Sequence, residues 1–202
     1  MSHAAVLLAG GKSSRMGRDK SALPVNGEPL WERQIGVLRA TGPAELFLSG
    51  KRDGPYAGCG VEILADEFPG GGPLAGIASA LRRCESESLL VLAVDMPAMT
   101  ADFLLMLLEE SRRTGAGVVP SVAAEDPKTG VQRLEPLAAI YPRGALRFAE
   151  ECLRAGERRM ETFIRGLAAQ GLVTIRPVER EAILLFANWN TPEDVEASER
   201  AE

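Results

Sequence analysis

The 202-residue sequence has a single histidine, His3, and three cysteines, Cys59, Cys84 and Cys152. The cysteines are odd in number, widely spaced and form no C-x-x-C pair, so neither a disulfide framework nor a zinc site is implied. They read as reduced thiols, buried or idle. His3 precedes the first apolar run and reads as part of a frayed terminus, not as a general base. No apolar run approaches the ~20 residues that span a bilayer. The run Ala4–Ala9 is too short for the core of a secretory signal. A cytoplasmic protein with no membrane partner is expected. The charge balance is acidic, 28 Asp and Glu against 23 Lys and Arg for a net charge of −5, which argues against a nucleic-acid surface as the main function. Two familiar phosphate loops are also missing at the N-terminal glycines. The pattern G-x-x-x-x-G-K-[ST] fails because Arg15 stands five positions after Gly10 and Met16 five after Gly11. The pattern G-x-G-x-x-G is absent there too.

What is present is an ordinary globular composition, 46% apolar and 25% charged. A chain of this length reads as one domain, residues 1–202. It is long enough to bury roughly 70% of its unfolded surface without a disulfide or metal to hold the core.

Apolar strand-like runs alternate with helix-like segments. Strands are expected at Ala5–Leu8, Leu46–Ser49, Val61–Leu64, Leu89–Val94 and Val118–Val119. Helices are expected at about Pro29–Ala40, Leu74–Arg83 and Ala101–Arg113, the last with Thr100 as N-cap and Gly115 near its stop. This alternation predicts an α/β fold, a mostly parallel twisted sheet with helices on both faces. The run Leu89–Val94 is apolar throughout, as a strand covered on both faces requires. Right-handed crossovers then bring the strand C-termini to one edge, where ligands bind. The second half is less regular. Leu134–Tyr141 reads as a strand interrupted by Pro136, Gly144–Ala155 and Met160–Ala169 as helices, Leu172–Ile175 and Ile183–Phe186 as short strands. A last helix starts at Thr191-Pro192. The polar segment Ala123–Arg133 reads as a surface loop or a substrate-side lid.

Four features carry chemistry. The first is Leu7-Leu8-Ala9-Gly10-Gly11-Lys12-Ser13-Ser14-Arg15-Met16-Gly17-Arg18-Asp19-Lys20. An apolar strand breaks into two glycines, whose backbone N–H groups can approach a ligand unobstructed. Such a concave row of N–H groups attracts anions, and Arg15 and Lys20 add positive charge at two reaches. A polyphosphate site needs this set. The second is Val94-Asp95-Met96-Pro97, which sets a carboxylate just past the most buried strand. Beside a phosphate loop its natural role is holding Mg²⁺, an ion that takes one or two protein carboxylates and completes its shell with phosphate oxygens and water. A turn-forming Asp is the other reading. The third is Asp66 with Gly70-Gly71-Gly72-Pro73. Asp66 can accept from the N–H edge of guanine or serve only as a turn carboxylate, and a glycine loop entering a helix lets a base or ribose lie against backbone. The fourth is Asn188-Trp189-Asn190. Two asparagines at i and i+2 point the same way on extended chain and suit a polar heterocycle; they equally suit caps before the Thr191 helix. Gly156-Glu157-Arg158-Arg159 is a basic turn, a solvated connection or a second anion contact.

Together these motifs resemble the molybdenum cofactor guanylyltransferases, nucleotidyltransferases of Rossmann-like fold. The matching segments run in order from near residue 5 to near residue 195. The resemblance implies a single-domain, three-layer α/β/α enzyme. Such an enzyme transfers GMP from GTP to the terminal phosphate of molybdenum-molybdopterin, releasing pyrophosphate and giving the guanine dinucleotide cofactor. It implies GTP contacts at Leu8, Ala9, Gly10, Gly11, Lys20, Asp66, Gly72 and Asp95, and Mg²⁺ on Asp95. Arg15, Lys20 and Asp95 would carry catalysis, and Arg158, Arg159, Asn188 and Asn190 would face molybdopterin. The attacking phosphate oxygen is already anionic near neutral pH, so no general base is required. Ser49-Gly50-Lys51 departs from relatives that carry asparagine after the second strand, though Ser49 still offers a hydroxyl to the nucleotide. Cofactor-delivery proteins or molybdoenzyme chaperones are expected partners, because a labile product should not diffuse freely.

Other readings stay open. A cytidylyltransferase for the same cofactor tends to read Leu-Ala-Ala-Gly where this chain has Leu8-Ala9-Gly10-Gly11. A sugar-phosphate nucleotidyltransferase and a non-catalytic nucleotide-binding module share the first motif. A dinucleotide-dependent oxidoreductase has only Gly70-x-Gly72-x-x-Ala75 in its favour, and that match follows Phe68-Pro69, not a strand.

Overall fold

The computed structural model describes residues 2–10, 20–25, 27–65, 67–123 and 132–189. Its framework is an eight-stranded sheet. β1 (His3–Leu8) lies between β4 (Glu45–Ser49) and β6 (Ser88–Ala93), parallel to both, with Leu8 opposite Ser49 on one side and Ala93 on the other. β5 (Glu62–Leu64) continues parallel beyond β4. On the far side of β6 runs β9 (Ala138–Pro142), antiparallel, followed by β7 (Gly117–Ala123) and β10 (Val173–Pro177). The order is β10-β7-β9-β6-β1-β4-β5, and the short β8 (Gln132–Leu134) pairs antiparallel with the end of β7. A separate two-residue hairpin joins β2 (Pro24–Val25) to β3 (Glu28–Pro29).

Six strand C-termini therefore meet at one edge. The start of β9 joins them there, because β9 alone runs backward between two forward strands. The expected mostly parallel α/β sheet is present, and its direction reverses between β7 and β8, since β8 and β9 both run antiparallel to β7. A proline cannot donate to a ladder, so Leu134–Tyr141 divides into β8 and β9 with a turn between them.

Helices cover both faces. α1 (Leu30–Ala40) and α3 (Ala101–Thr114) pack on one side with Leu7, Leu48, Leu90, Leu92 and Val118. α2 (Pro73–Arg83), α4 (Ala145–Arg154) and α5 (Met160–Ala169) pack on the other with Val6, Phe47, Leu89, Val91 and Tyr141. Alternate residues of each central strand supply each layer, as the two-residue period of a strand dictates. α3 starts where Thr100 Oγ1 accepts from Phe103 N at 3.4 Å and stops at Gly115 in the left-handed region, φ 71°, so the expected cap and stop hold. α2 is buried from Leu74 through Leu81. Its Gly and Ala residues let it lie close on β1 and β4.

Two expectations are corrected. His3 is not frayed: it is the first residue of β1, buried, with Nε2 3.2 Å from the Thr41 hydroxyl. Its strand neighbour Ser88 and the chain turn after α1 close over it. Ile183–Phe186 is not a strand but part of a 3₁₀ segment, Arg180–Phe186. The chain has left the sheet at Pro177, and its apolar residues pack on α3 instead; Phe186 sits edge-on to Phe103 with ring centres 5.3 Å apart. All three cysteines are free, Cys84 and Cys152 buried and Cys59 partly so. Among the described residues no helix is long and apolar enough to cross a membrane. The Thr191 helix and residues 124–131 of the polar loop lie outside the described residues.

Candidate functional site

The carboxyl edge of the sheet is stitched together by backbone hydrogen bonds. Beyond β1, Ala9 N and Gly10 N both donate to Ser49 O, at 2.9 and 3.0 Å. Gly50 N donates to Leu64 O at 3.2 Å and Val94 N to Leu8 O at 3.1 Å. These bonds extend the sheet by one step at the ends of β1, β4, β5 and β6, so Leu8, Ala9, Gly10, Ser49 and Asp95 come to one ledge. Gly10 lies close over Gly50, where a Cβ would come to 3.6 Å of the Gly50 Cα. Gly76, on the first turns of α2, faces the same place. A Cβ there would come within 2.5 Å of Ser49 Oγ and 3.0 Å of Leu8 Cδ2. The helix thus approaches the ledge as nearly as a glycine permits, with its N-terminal N–H groups toward the anion-accepting side.

Gly72 precedes α2 with φ 65°, a conformation natural to glycine. The loop it ends, Gly70-Gly71-Gly72, packs on the C-terminal end of α4, where Leu153 closes on Gly71. Arg82 fastens this corner by pairing with Glu67 and Glu150.

Asp95 lies two residues past β6, partly exposed on the ledge. Three residues from two segments hold its turn. From the C-terminal side, Trp189 N donates to Asp95 O at 3.0 Å, and the Trp189 indole is buried in the α1/α3 layer. From α1, Gln34 Nε2 donates to Met96 O and Arg33 Nε to Pro97 O at 3.3 Å. Gln34 is fully buried and was missed from the sequence, although a signal existed. Leu30, Gln34 and Leu38 form an i, i+4, i+8 row, and a lone amide in an otherwise apolar row needs a partner. Tyr56 was also missed. Its ring fills the space over Gly50 and Gly54, and its hydroxyl accepts from Lys51 N at 2.7 Å, making a plug for the loop after β4.

The remaining candidates reach this edge from opposite faces. α4 runs back toward the carboxyl edge, so the turn at 156–159 arises there on the α2/α4/α5 side. Arg158 Nη1 lies 3.9 Å from the place a Gly70 Cβ would occupy. Arg159 is turned toward Glu157, with Nη2 to Oε2 at 2.7 Å. Glu157 also accepts from the backbone N–H of Arg158 and Arg159, both at 2.9 Å. These contacts, the Arg159 guanidinium foremost, pull the Glu157 carboxyl down to about 2. Asn188 is exposed beside Trp189, on the α1/α3 side. Lys20 opens a 3₁₀ turn, Lys20–Ala22, leading to β2. Gly11, Arg15, Asp66 and Asn190 lie outside the described residues.

The donor set suits a divalent cation held jointly with a ligand. Among the described residues no three His, Cys, Asp or Glu side chains converge, so a cation beside Asp95 would take the rest of its shell from phosphate oxygens and water, as Mg²⁺ does.

A family model for the MobA-like NTP transferase domain matches residues 5–172. A "Probable molybdenum cofactor guanylyltransferase" of Opitutus terrae is 40% identical over 98% of this chain and 95% of its own. The molybdenum cofactor guanylyltransferase of Xanthomonas euvesicatoria pv. vesicatoria is 36% identical over 93% of this chain and 89% of its own. Among solved structures, molybdopterin-guanine dinucleotide biosynthesis protein A of Archaeoglobus fulgidus superposes with a TM-score of 0.76 at 28% identity, covering 98% of this chain and 97% of that one. The 2-C-methyl-D-erythritol 4-phosphate cytidylyltransferase of Thermus thermophilus shares the fold, with a TM-score of 0.72 at 21% identity, over 100% of this chain and 98% of that one. With the glycine loop, the Asp95 turn and the sheet order in place, the chain belongs to the MobA-like NTP transferase family of nucleotidyltransferases.

Proposed function

We propose that this chain is a molybdenum cofactor guanylyltransferase, joining GMP from GTP to the terminal phosphate of molybdenum-molybdopterin. The observation that carries the reading is the ledge itself. The Leu8–Gly10 loop is bonded to Ser49, and one strand away the Asp95 turn is held by Trp189 and Gln34. A nucleotide triphosphate laid on the first would bring its α-phosphate to the second.

In this reading an anionic phosphate oxygen of the acceptor attacks the α-phosphorus of GTP. A new P–O bond forms, the bond to the β-phosphate bridging oxygen breaks, and pyrophosphate leaves with that electron pair. No proton has to be removed from the nucleophile, so the burial of His3 at the opposite edge is no obstacle. The protein's work is positioning and charge stabilisation. The Leu8–Gly10 segment, with Gly11, and the α2 N-terminus are assigned to the nucleotide phosphates, Ser49 and Gly72 to its flank and Asp66 to the guanine edge. Lys20 and Arg15 oppose the charge that builds on the α-phosphate and pyrophosphate. Mg²⁺ on Asp95, when bound, would screen the repulsion between two polyanionic substrates. Arg158, Arg159, Asn188 and Asn190 are assigned to the acceptor. A GTP-consuming enzyme of this kind belongs in the cytoplasm and would hand its product to a delivery protein or molybdoenzyme chaperone.

The test is pyrophosphate release by the purified protein on addition of molybdenum-molybdopterin, with GTP, CTP, ATP or UTP in turn. Release that requires the acceptor and favours GTP is expected. Release favouring CTP would replace the base assignment, and none with any nucleotide would overturn the reading.

A further inference from the structure

We propose that Arg133, oriented by Glu135, binds the phosphate of the acceptor on the side of Asp95 away from the nucleotide loop. The inference rests on the guanylyltransferase reading and adds a residue to it.

The placement follows from register. Arg133 on β8 stands opposite Val122 on β7, and Val122 belongs to the α1/α3 core. Paired residues share a face, so Arg133 rises on the same face as Met96, Phe186 and Trp189. The turn after β8 is held at three points. Glu135 N donates to Pro120 O at 2.8 Å, Ala93 N to Leu137 O at 2.8 Å, and Tyr141 Oη to Pro136 O at 2.8 Å. The second of these bonds ties the turn to the end of β6, two residues before Asp95. The sheet order sets β1 and β4, with the glycine loop, on one side of β6, and β9, β7 and β8 on the other.

The pair is asymmetric. Glu135 keeps only 6% of its side-chain exposure, whereas Arg133, whose Nε donates to Glu135 Oε1 at 2.7 Å, keeps 62%. Burying a carboxylate is costly, and burial pushes the Glu135 carboxyl up despite the Arg133 charge. A surface pair kept for stability would not need one partner buried. The arrangement instead anchors one edge of a guanidinium whose head faces the ligand side. A planar fork fixed in advance loses less freedom on taking a phosphate. The ligand class is a phosphomonoester dianion.

Steady-state transfer by the full chain, with GTP and molybdenum-molybdopterin varied in turn, separates the acceptor phosphate from the nucleotide's. Arg133→Ala is expected to raise the acceptor KM about tenfold, the loss of one charge-assisted contact, with the GTP KM unchanged. Arg133→Lys should restore part of it. Glu135→Gln should raise the acceptor KM without lowering the thermal midpoint. A rise in the GTP KM instead, or no change in either, overturns the inference. A second measurement needs no turnover: ³¹P-detected binding of inorganic phosphate to the GTP-saturated protein. Equal affinity in wild type and Arg133→Ala overturns the inference. Lost phosphate binding in the variant, together with a wild type that shows no acceptor-dependent transfer, overturns the guanylyltransferase reading and leaves the anion site standing.

Discussion

Asp95 and Gly76 show how little room the site leaves for exchange of single residues. Asp95→Asn keeps the shape of the side chain and removes its charge, so the backbone bond from Trp189 N should survive. Turnover should fall by at least about a hundredfold, the equivalent of ~2.7 kcal/mol lost from the transition state, at an unchanged thermal midpoint. Full activity of the metal-supplied variant would sink the role given to this carboxylate. Gly76→Ala tests the approach of α2 to the ledge. Its Cβ would lie 2.5 Å from Ser49 Oγ and 3.2 Å from Ser49 Cβ. Overpacking of this kind costs about 1–3 kcal/mol, measurable by denaturant unfolding, and Ser49→Gly in the same chain should recover part of it. The two residues differ in how much of their role the sequence shows. Asp95 was legible as a carboxylate ending an apolar run. Gly76 shows in the sequence as part of the glycine-rich run entering α2, but its contact with Ser49 does not, because the two are far apart in sequence.

Among the elements, α1 does something its amphipathic pattern does not announce. It carries the chain away from the glycine loop and also clamps the Asp95 turn through Gln34 and Arg33. Gln34→Leu removes the donor to Met96 O, but it also removes the Gln34 Oε1, which has no partner among the described residues. Those two effects oppose each other, each about 1–3 kcal/mol, so stability should change by less than either while turnover drops several-fold as the turn loosens. Calorimetry beside initial rates checks this; a stable variant with unchanged turnover would show that the clamp has no bearing on the chemistry. The same scale explains the misread segment at Ile183–Phe186. Four apolar residues in a row fit a strand or a tight helix equally well. The competition was settled by what lay beside them, α3 with Phe103.

The whole molecule places its titrating histidine far from its chemistry. His3 sits at the opposite end of β1 from the glycine loop, buried against Thr41. Burial first, and the Arg112 charge second, hold its imidazole below the usual value of 6.5. A group whose folded-state pKa is depressed adds stability that is full above the unfolded value and is lost as pH falls through the folded one. The thermal midpoint should therefore decline below pH 6.5, and His3→Gln should flatten that decline. A wild-type midpoint unchanged between pH 7 and 5 would contradict the neutral, buried state. On the same scale, the sheet order explains why the site is a meeting of distant segments. Residues near positions 9, 49, 95, 135, 158 and 188 reach one edge because six forward strands end there and β9 begins there.

The sequence by itself determined the alternation of strands and helices, the glycine loop, the carboxylate after the central strand and the caps of α3. These are local matters: side-chain periodicity, backbone freedom and first-turn hydrogen bonds act over a few residues and leave their mark in order. Only the tertiary structure decided that β9 runs backward, that His3 is inside, that Gln34 grips the Asp95 turn and that Arg133 and Glu135 stand beside it. Each of these depends on contacts between segments whose separation no local pattern encodes, and on which polar group finds a partner once the layers close.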